Sequence, residues 1–445
     1  MNKEVKVVKK KRKLNWQKIF NLISFTFILA CIIFYGTRFI RLYLQNNKKE
    51  EIKVLADNIK DNNEGNLKNI NSDYYFTGKE VNNYVKYSNI LFRIIKINKD
   101  NSITLVSDKP ITSLAKGDNN DYKTSYINNW LNNQDKENTG ILEKNLNNPN
   151  KYLTYTNACN DKIDNTKNIT CKSTLADTLI ALPSLYDYIN TGDTKSFMNN
   201  ETYYYLLNTN KDNKTWYIND NGGVTTSDNT DILGIKPVIT LKSTNKLING
   251  DGTKDNPYTF EEEQSILGSY IKLGNDTWRV YDIDDNNLKL SLDNYLKINN
   301  EEITYKYSDK GYYHNDGKQG TLAYYLNKNY LSKLTYSSNI IEANYANGIY
   351  SNTTNYDYTK VLNKTIPTKV ATLSIGNIII NSDNTNYYLS TGVDTNSNLV
   401  YVMTNDFKLY TKNATSKLKI VPVITIDKKI LTSGDGSQNS PLEAK

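Results

Sequence analysis

Histidine is all but missing from this chain of 445 residues, and cysteine and proline are scarce. The single histidine, His314, follows Gly311-Tyr312-Tyr313. A nucleophilic triad with imidazole as its base has no other choice, and an exposed loop histidine is the expectation. Zinc held by clusters of His and Cys is excluded on the same count. Of the three cysteines, Cys31 lies in a long apolar run, and Cys159 and Cys171 share a loop rich in Asn, Asp, Lys and Thr. With no Cys-x-x-Cys spacing, that pair reads as a local disulfide contributing on the order of 2–3 kcal/mol through loop closure.

A basic surface is also lacking. The net charge is +8, but Lys3, Lys6, Lys9, Lys10, Lys11, Arg12, Lys13 and Lys18 crowd the first 18 residues against one acid, Glu4. The remainder is near neutral, with no basic block interleaved with aromatics, so no nucleic-acid partner is expected.

What is present begins with an uncharged run from Ile19 to Thr37, rich in Ile, Leu and Phe. As a helix it spans about 28 Å, which matches a bilayer core. Its flanks carry more cations before than after, so the sequence predicts a transmembrane signal-anchor helix at 19–44. A basic cytoplasmic tail at 1–18 precedes it, and a polar stalk at 45–71 follows. The cell membrane is then a partner, and the chain a single-pass protein with its N-terminus cytoplasmic and its C-terminal part extracellular. A cleaved signal peptide fits less well, because Tyr35-Gly36-Thr37-Arg38 is a poor cleavage site.

Self-comparison reveals a duplication. Tyr84-Val85-Lys86-Tyr87 with Phe92-Arg93-Ile94 matches Tyr270-Ile271-Lys272-Leu273 with Trp278-Arg279-Val280. A short helical pattern ending in Trp130-Leu131-Asn132 matches one ending in Tyr325-Leu326-Asn327. Residues 201–241 lie on 386–426 without a gap, and each copy closes on Gly-Asp-Gly, at Gly250-Asp251-Gly252 and Gly434-Asp435-Gly436. Repeat 1 is placed at 72–262 and repeat 2 at 263–445. Short runs of Ile, Val, Thr, Tyr and Leu between Asn, Asp and Gly turns make each an α+β, β-dominated unit.

The aromatic-Arg-Ile/Val strand, the helix ending in Trp-Leu-Asn, the aromatic-rich strand and the terminal strand Gly234-Ile235-Lys236-Pro237-Val238-Ile239-Thr240-Leu241 resemble a bacterial domain of unknown function. That domain is similar to the formylglycine-generating sulfatase-modifying fold, a relative of C-type lectins. The resemblance covers most of both copies and implies two tandem C-type-lectin-like domains. Where the family often has Trp-Trp-Leu-Arg-Ser, this chain has Thr215-Trp216-Tyr217-Ile218 and Leu399-Val400-Tyr401-Val402. Formylglycine generation itself needs a reactive thiol pair, which the cysteines do not supply in each copy.

Acidic clusters give two readings. Asp282, Asp284 and Asp285, or Asp251 and Asp255, suit a calcium site, while Asx residues at such places also serve tight turns. No Asp/Glu pair recurs in both copies, which leaves glycosidase chemistry without support. The 36 tyrosines, with Trp130, Trp216 and Trp278, allow a stacking surface, although Trp216 and Trp278 lie in strands and read as core. In Tyr203-Tyr204-Tyr205 alternate rings point to opposite faces, so Tyr204 is the expected exposed ligand contact. The functional expectation is a non-catalytic binding module for a glycan, wall polymer or protein partner, without a cofactor unless calcium. The alternatives are a structural spacer or subunit of a cell-envelope complex, and an enzyme with unrecognised carboxylate or metal chemistry.

Overall fold

The computed structural model describes residues 16–47, 54–117, 121–309, 317–351, 356–381, 383–394 and 397–444. The chain divides into two units, Met1–Lys53 and Val54–Lys445. Among the described residues the first contains one helix, Trp16–Asn47. Among the described residues no helix is long and apolar enough to cross a membrane. The transmembrane helix at 19–44, the single-pass placement and the cytoplasmic and extracellular sides inferred from it are corrected accordingly. Most of the basic tail lies outside the described residues.

In the second unit, folded structure starts earlier than the stalk expectation allowed. Helix Leu55–Asn62 buries Leu55, Ala56 and Ile59, an i, i+1, i+4 stripe, and Val54 bridges to Lys246 at the far end of repeat 1. A hairpin, Leu67–Ile70 with Asp73–Phe76, then joins the edge of the large sheet.

Each repeat contains an eight-stranded and a five-stranded sheet. The large sheet of repeat 1 is built around Tyr84–Tyr87, Ile90–Ile97, Ile103–Ser107 and Val238–Leu241, paired antiparallel in that order. Its counterpart is Tyr270–Leu273, Asp276–Asp284, Asn287–Leu292 and Pro422–Asp427. The smaller sheet orders Val224–Ser227, Thr215–Ile218, Tyr204–Thr209, Leu233–Gly234 and Ser113–Leu114, and repeat 2 reproduces it with Tyr410–Asn413, Leu399–Met403, Tyr387–Gly392, Lys417–Lys419 and Thr304–Lys306.

Two devices recur at residue level. The Arg93 guanidinium lies 3.8 Å from the Tyr84 ring centre and 3.6 Å from Asp108, and Arg279 repeats this with Tyr270 at 3.9 Å and Asp293 at 3.6 Å. At the end of the first helical turn pattern, Asn132 accepts from Ile180 N at 2.9 Å and donates to its carbonyl at 2.8 Å. Asn327 does the same with Val370, at 3.0 and 2.8 Å. An asparagine amide, with one acceptor and two donors, thus mimics a strand neighbour and pins the chain beside the terminal strand.

The repeats also share a core. Buried side chains of both, from Phe92 and Tyr205 to Tyr350 and Tyr401, form one apolar cluster. Across the junction Trp130 Nε1 donates to the Gly376 carbonyl at 2.8 Å, and Tyr203 N to the Asp406 carbonyl at 2.7 Å. The Tyr350 phenol accepts from Ala115 N at 2.9 Å.

Candidate functional site

Strand Ile90–Ile97 and its counterpart Asp276–Asp284 carry a shared irregularity. In repeat 1 the register shifts between Ile94 and Lys96, and in repeat 2 between Val280 and Asp282. A β-bulge re-aims the side chain that follows it. Here it turns Lys96 and Asp282, matched by register, into concavities of about 330 Å³ each.

In repeat 1 the floor is strand surface: Lys96, Thr104, Thr156 and Thr240. The walls are Asp73 and Tyr75 from the edge hairpin, Tyr186 and Asp187 from helix Leu185–Asn190, and the loop carrying Cys159 and Cys171. Lys96 Nζ donates to Asp73 Oδ2 at 2.9 Å. Burial works against its charge, but Asp187 and Asp73 more than offset this and raise its pKa above the ordinary lysine value. Asp187 accepts from the Tyr75 phenol at 2.9 Å and from Ser184 Oγ at 2.6 Å, so helix capping and the cavity wall share one carboxylate. The structure joins Cys159 to Cys171, with Cα atoms 5.7 Å apart.

The matching concavity of repeat 2 inverts the charges. Asp282 accepts from Lys289 Nζ at 2.9 Å and lies 3.6 Å from Lys144 Nζ. Burial would raise its pKa, but Lys289 and Lys144 hold it below the usual carboxylate range. The register aligns Asp187 with Asn377, which accepts from Ser374 N at 2.8 Å. Glu137, Asn138 and Lys144 complete this cavity from repeat 1, so it exists only because the repeats are packed together.

The expected ligand contact is corrected. Tyr204 is fully buried, donates to the Met198 carbonyl at 3.2 Å, and lies under Lys236. Strand alternation fails as a guide there, because every residue of Tyr204–Thr209 is buried and the sheet is covered on both sides. The acidic residues expected for calcium are placed as follows. Among the described residues the only acidic or thiol group with ligand atoms mutually within 4.8 Å is Cys159, Asp161 and Cys171, whose sulfurs are consumed by the disulfide. Asp282 is ion-paired, Asp284 ends its strand, and Asp285 turns the hairpin at φ 45°. Asp251 accepts from Thr253 N at 2.9 Å and Oγ1 at 2.7 Å within its own turn. Asp255 is exposed and enters no such group. Trp278 and Trp130 are fully buried, Trp216 is half-buried, and His314 lies outside the described residues.

No family model, curated protein or solved structure matches this chain. The likeness to the sulfatase-modifying fold accordingly rests on the sequence motifs alone. Sequence reasoning missed Lys96 as a site residue, although the duplication carried a signal: its match is Asp282, a reversal of charge at a half-buried strand position of a motif that both copies otherwise share.

Proposed function

We propose that this protein is a non-catalytic binding protein, receiving a polar ligand such as a glycan over the exposed face of its large sheets. The observation that carries the reading is the recurrence of one concavity, at matching register and of matching size, in both repeats. Binding pockets are concave, with a few convergent polar groups that fix the ligand's orientation. The groups that line them are already engaged in orienting one another: Lys96 with Asp73, Asp187 with Tyr75, and Asp282 with Lys289. Preorganised side chains of this kind suit recognition, and the two thiols nearby are tied in a disulfide, which removes the obvious nucleophile.

The test is a screen of the full chain against glycan and peptide arrays, followed by calorimetry. Binding is expected, and Lys96→Glu should weaken it by about tenfold or more while the protein still unfolds cooperatively. A chain that binds nothing, or whose binding ignores this substitution, contradicts the reading.

A further inference from the structure

We propose that the cavity of repeat 1 is a saccharide subsite whose line of three threonines only accepts hydrogen bonds, and that the side chain at the matched positions 158 and 345 decides which repeat offers it. This deepens the binding role proposed above and rests on it.

Beside Lys96 the floor carries a line of threonines whose proton directions are forced. Thr156 Oγ1 donates to the Leu179 carbonyl at 3.0 Å, and a carbonyl can only accept. With its one proton spent, Thr156 must accept from Thr240 Oγ1, 3.2 Å away. Thr240 in turn accepts from Thr104 Oγ1 at 3.3 Å, and Thr104 accepts from the Asn98 amide at 3.0 Å. A hydroxyl has one donor and two lone pairs, so each of the three oxygens keeps one lone pair and no proton to give. The ligand opposite must therefore donate. Three acceptors spaced at 3.2–3.3 Å match neighbouring hydroxyls on a sugar ring. Tyr155, exposed at the rim, supplies a flat apolar face for the C–H side of such a ring.

Repeat 2 lacks this floor. Pairing of Thr240 with Thr154, and of Thr425 with Ile341, sets the register of the two walls. It places Lys289 at Thr104, Ala343 at Thr156 and Tyr345 at Ala158. The Tyr345 phenol lies 2.6 Å from Thr425 Oγ1, the match of Thr240, and covers the one hydroxyl that remains. Ala158 leaves the same volume open in repeat 1.

The experiment is calorimetric titration of the full chain with methyl glucoside, N-acetylglucosamine and maltotriose, each beside its fully O-methylated form. The expected result is one site per chain for at least one free sugar, with the methylated form weaker by about tenfold or more because the ring no longer donates. Ala158→Tyr should abolish binding. Tyr155→Ala, a rim substitution that leaves the fold intact, should weaken it several-fold. Equal affinity for the methylated sugars, two equivalent sites, or unaltered binding by both variants overturns the subsite. Ligands without hydroxyl donors that bind in a Lys96-dependent manner would overturn the subsite yet leave the binding role standing. A chain that binds no ligand of any class would overturn both.

Discussion

Lys96 and Asp282 occupy one position in two copies of one sheet, just past the same β-bulge, and carry opposite charges. Each is neutralised locally, Lys96 by Asp73 at 2.9 Å and Asp282 by Lys289 at 2.9 Å. Duplication preserved the backbone device and exchanged the chemistry it aims.

That exchange makes the two ion pairs unequal. Lys96→Met leaves Asp73 and Asp187 facing each other without a cation in a largely buried setting, and should cost about 3 kcal/mol. Lys289→Met still leaves Lys144 3.6 Å from Asp282, so its cost should be smaller. Denaturant unfolding of both variants measures the difference; equal losses would mean that Lys144 contributes nothing.

Lys236 predicts a pH dependence. It is buried, with the Tyr204 ring 4.8 Å away, and burial lowers its pKa to about 7 despite an opposing contribution from Asp108. The unfolded chain then holds a proton that the folded chain has released, from about pH 7 up to the ordinary lysine value. Its contribution to stability is fully present above that value and is lost as pH falls through about 7. Lys116, lowered by burial to about 8, acts in the same direction. The buried tyrosines, raised by burial, oppose this only above about pH 10. Thermal melts between pH 6 and 9.5 (about the usable window) should show stability rising with pH. Lys236→Val, which installs the residue of the matched position Val421, should raise the melting temperature most at the acid end and flatten the rise. An unchanged slope would exclude Lys236 as its source.

Much of this architecture was legible in the sequence, and for an identifiable reason. The motif residues Arg93 and Asn132 recur because each makes a backbone-directed or stacking contact that both copies use. Tyr204 was misread because alternation assumes one solvated face, whereas the face that carries Tyr204 is covered from within repeat 1 by Met198, Lys236 and Tyr188. The cavity was illegible for a different reason: it arises from a one-residue bulge, a cross-linked loop and a helix cap that lie far apart in the chain. The long apolar run read as a bilayer span on length and composition, and among the described residues no helix satisfies that reading.

The Cys159–Cys171 link closes the loop that walls the first cavity. Replacing both cysteines by serine should lower stability by about 2–3 kcal/mol and weaken ligand binding in repeat 1 alone. Melting curves with and without reductant check the first effect, and calorimetry of the variant checks the second. A variant as stable as the parent would show that the loop is held by its hydrogen bonds.

The most direct measurement is a crystal structure of the full chain with a bound saccharide identified by array screening. The account predicts ligand density over Thr104, Thr240 and Thr156, with the ring edge against Tyr155. Density confined to the groove between the small sheets, beside Tyr217, Leu399 and Tyr410, would contradict it.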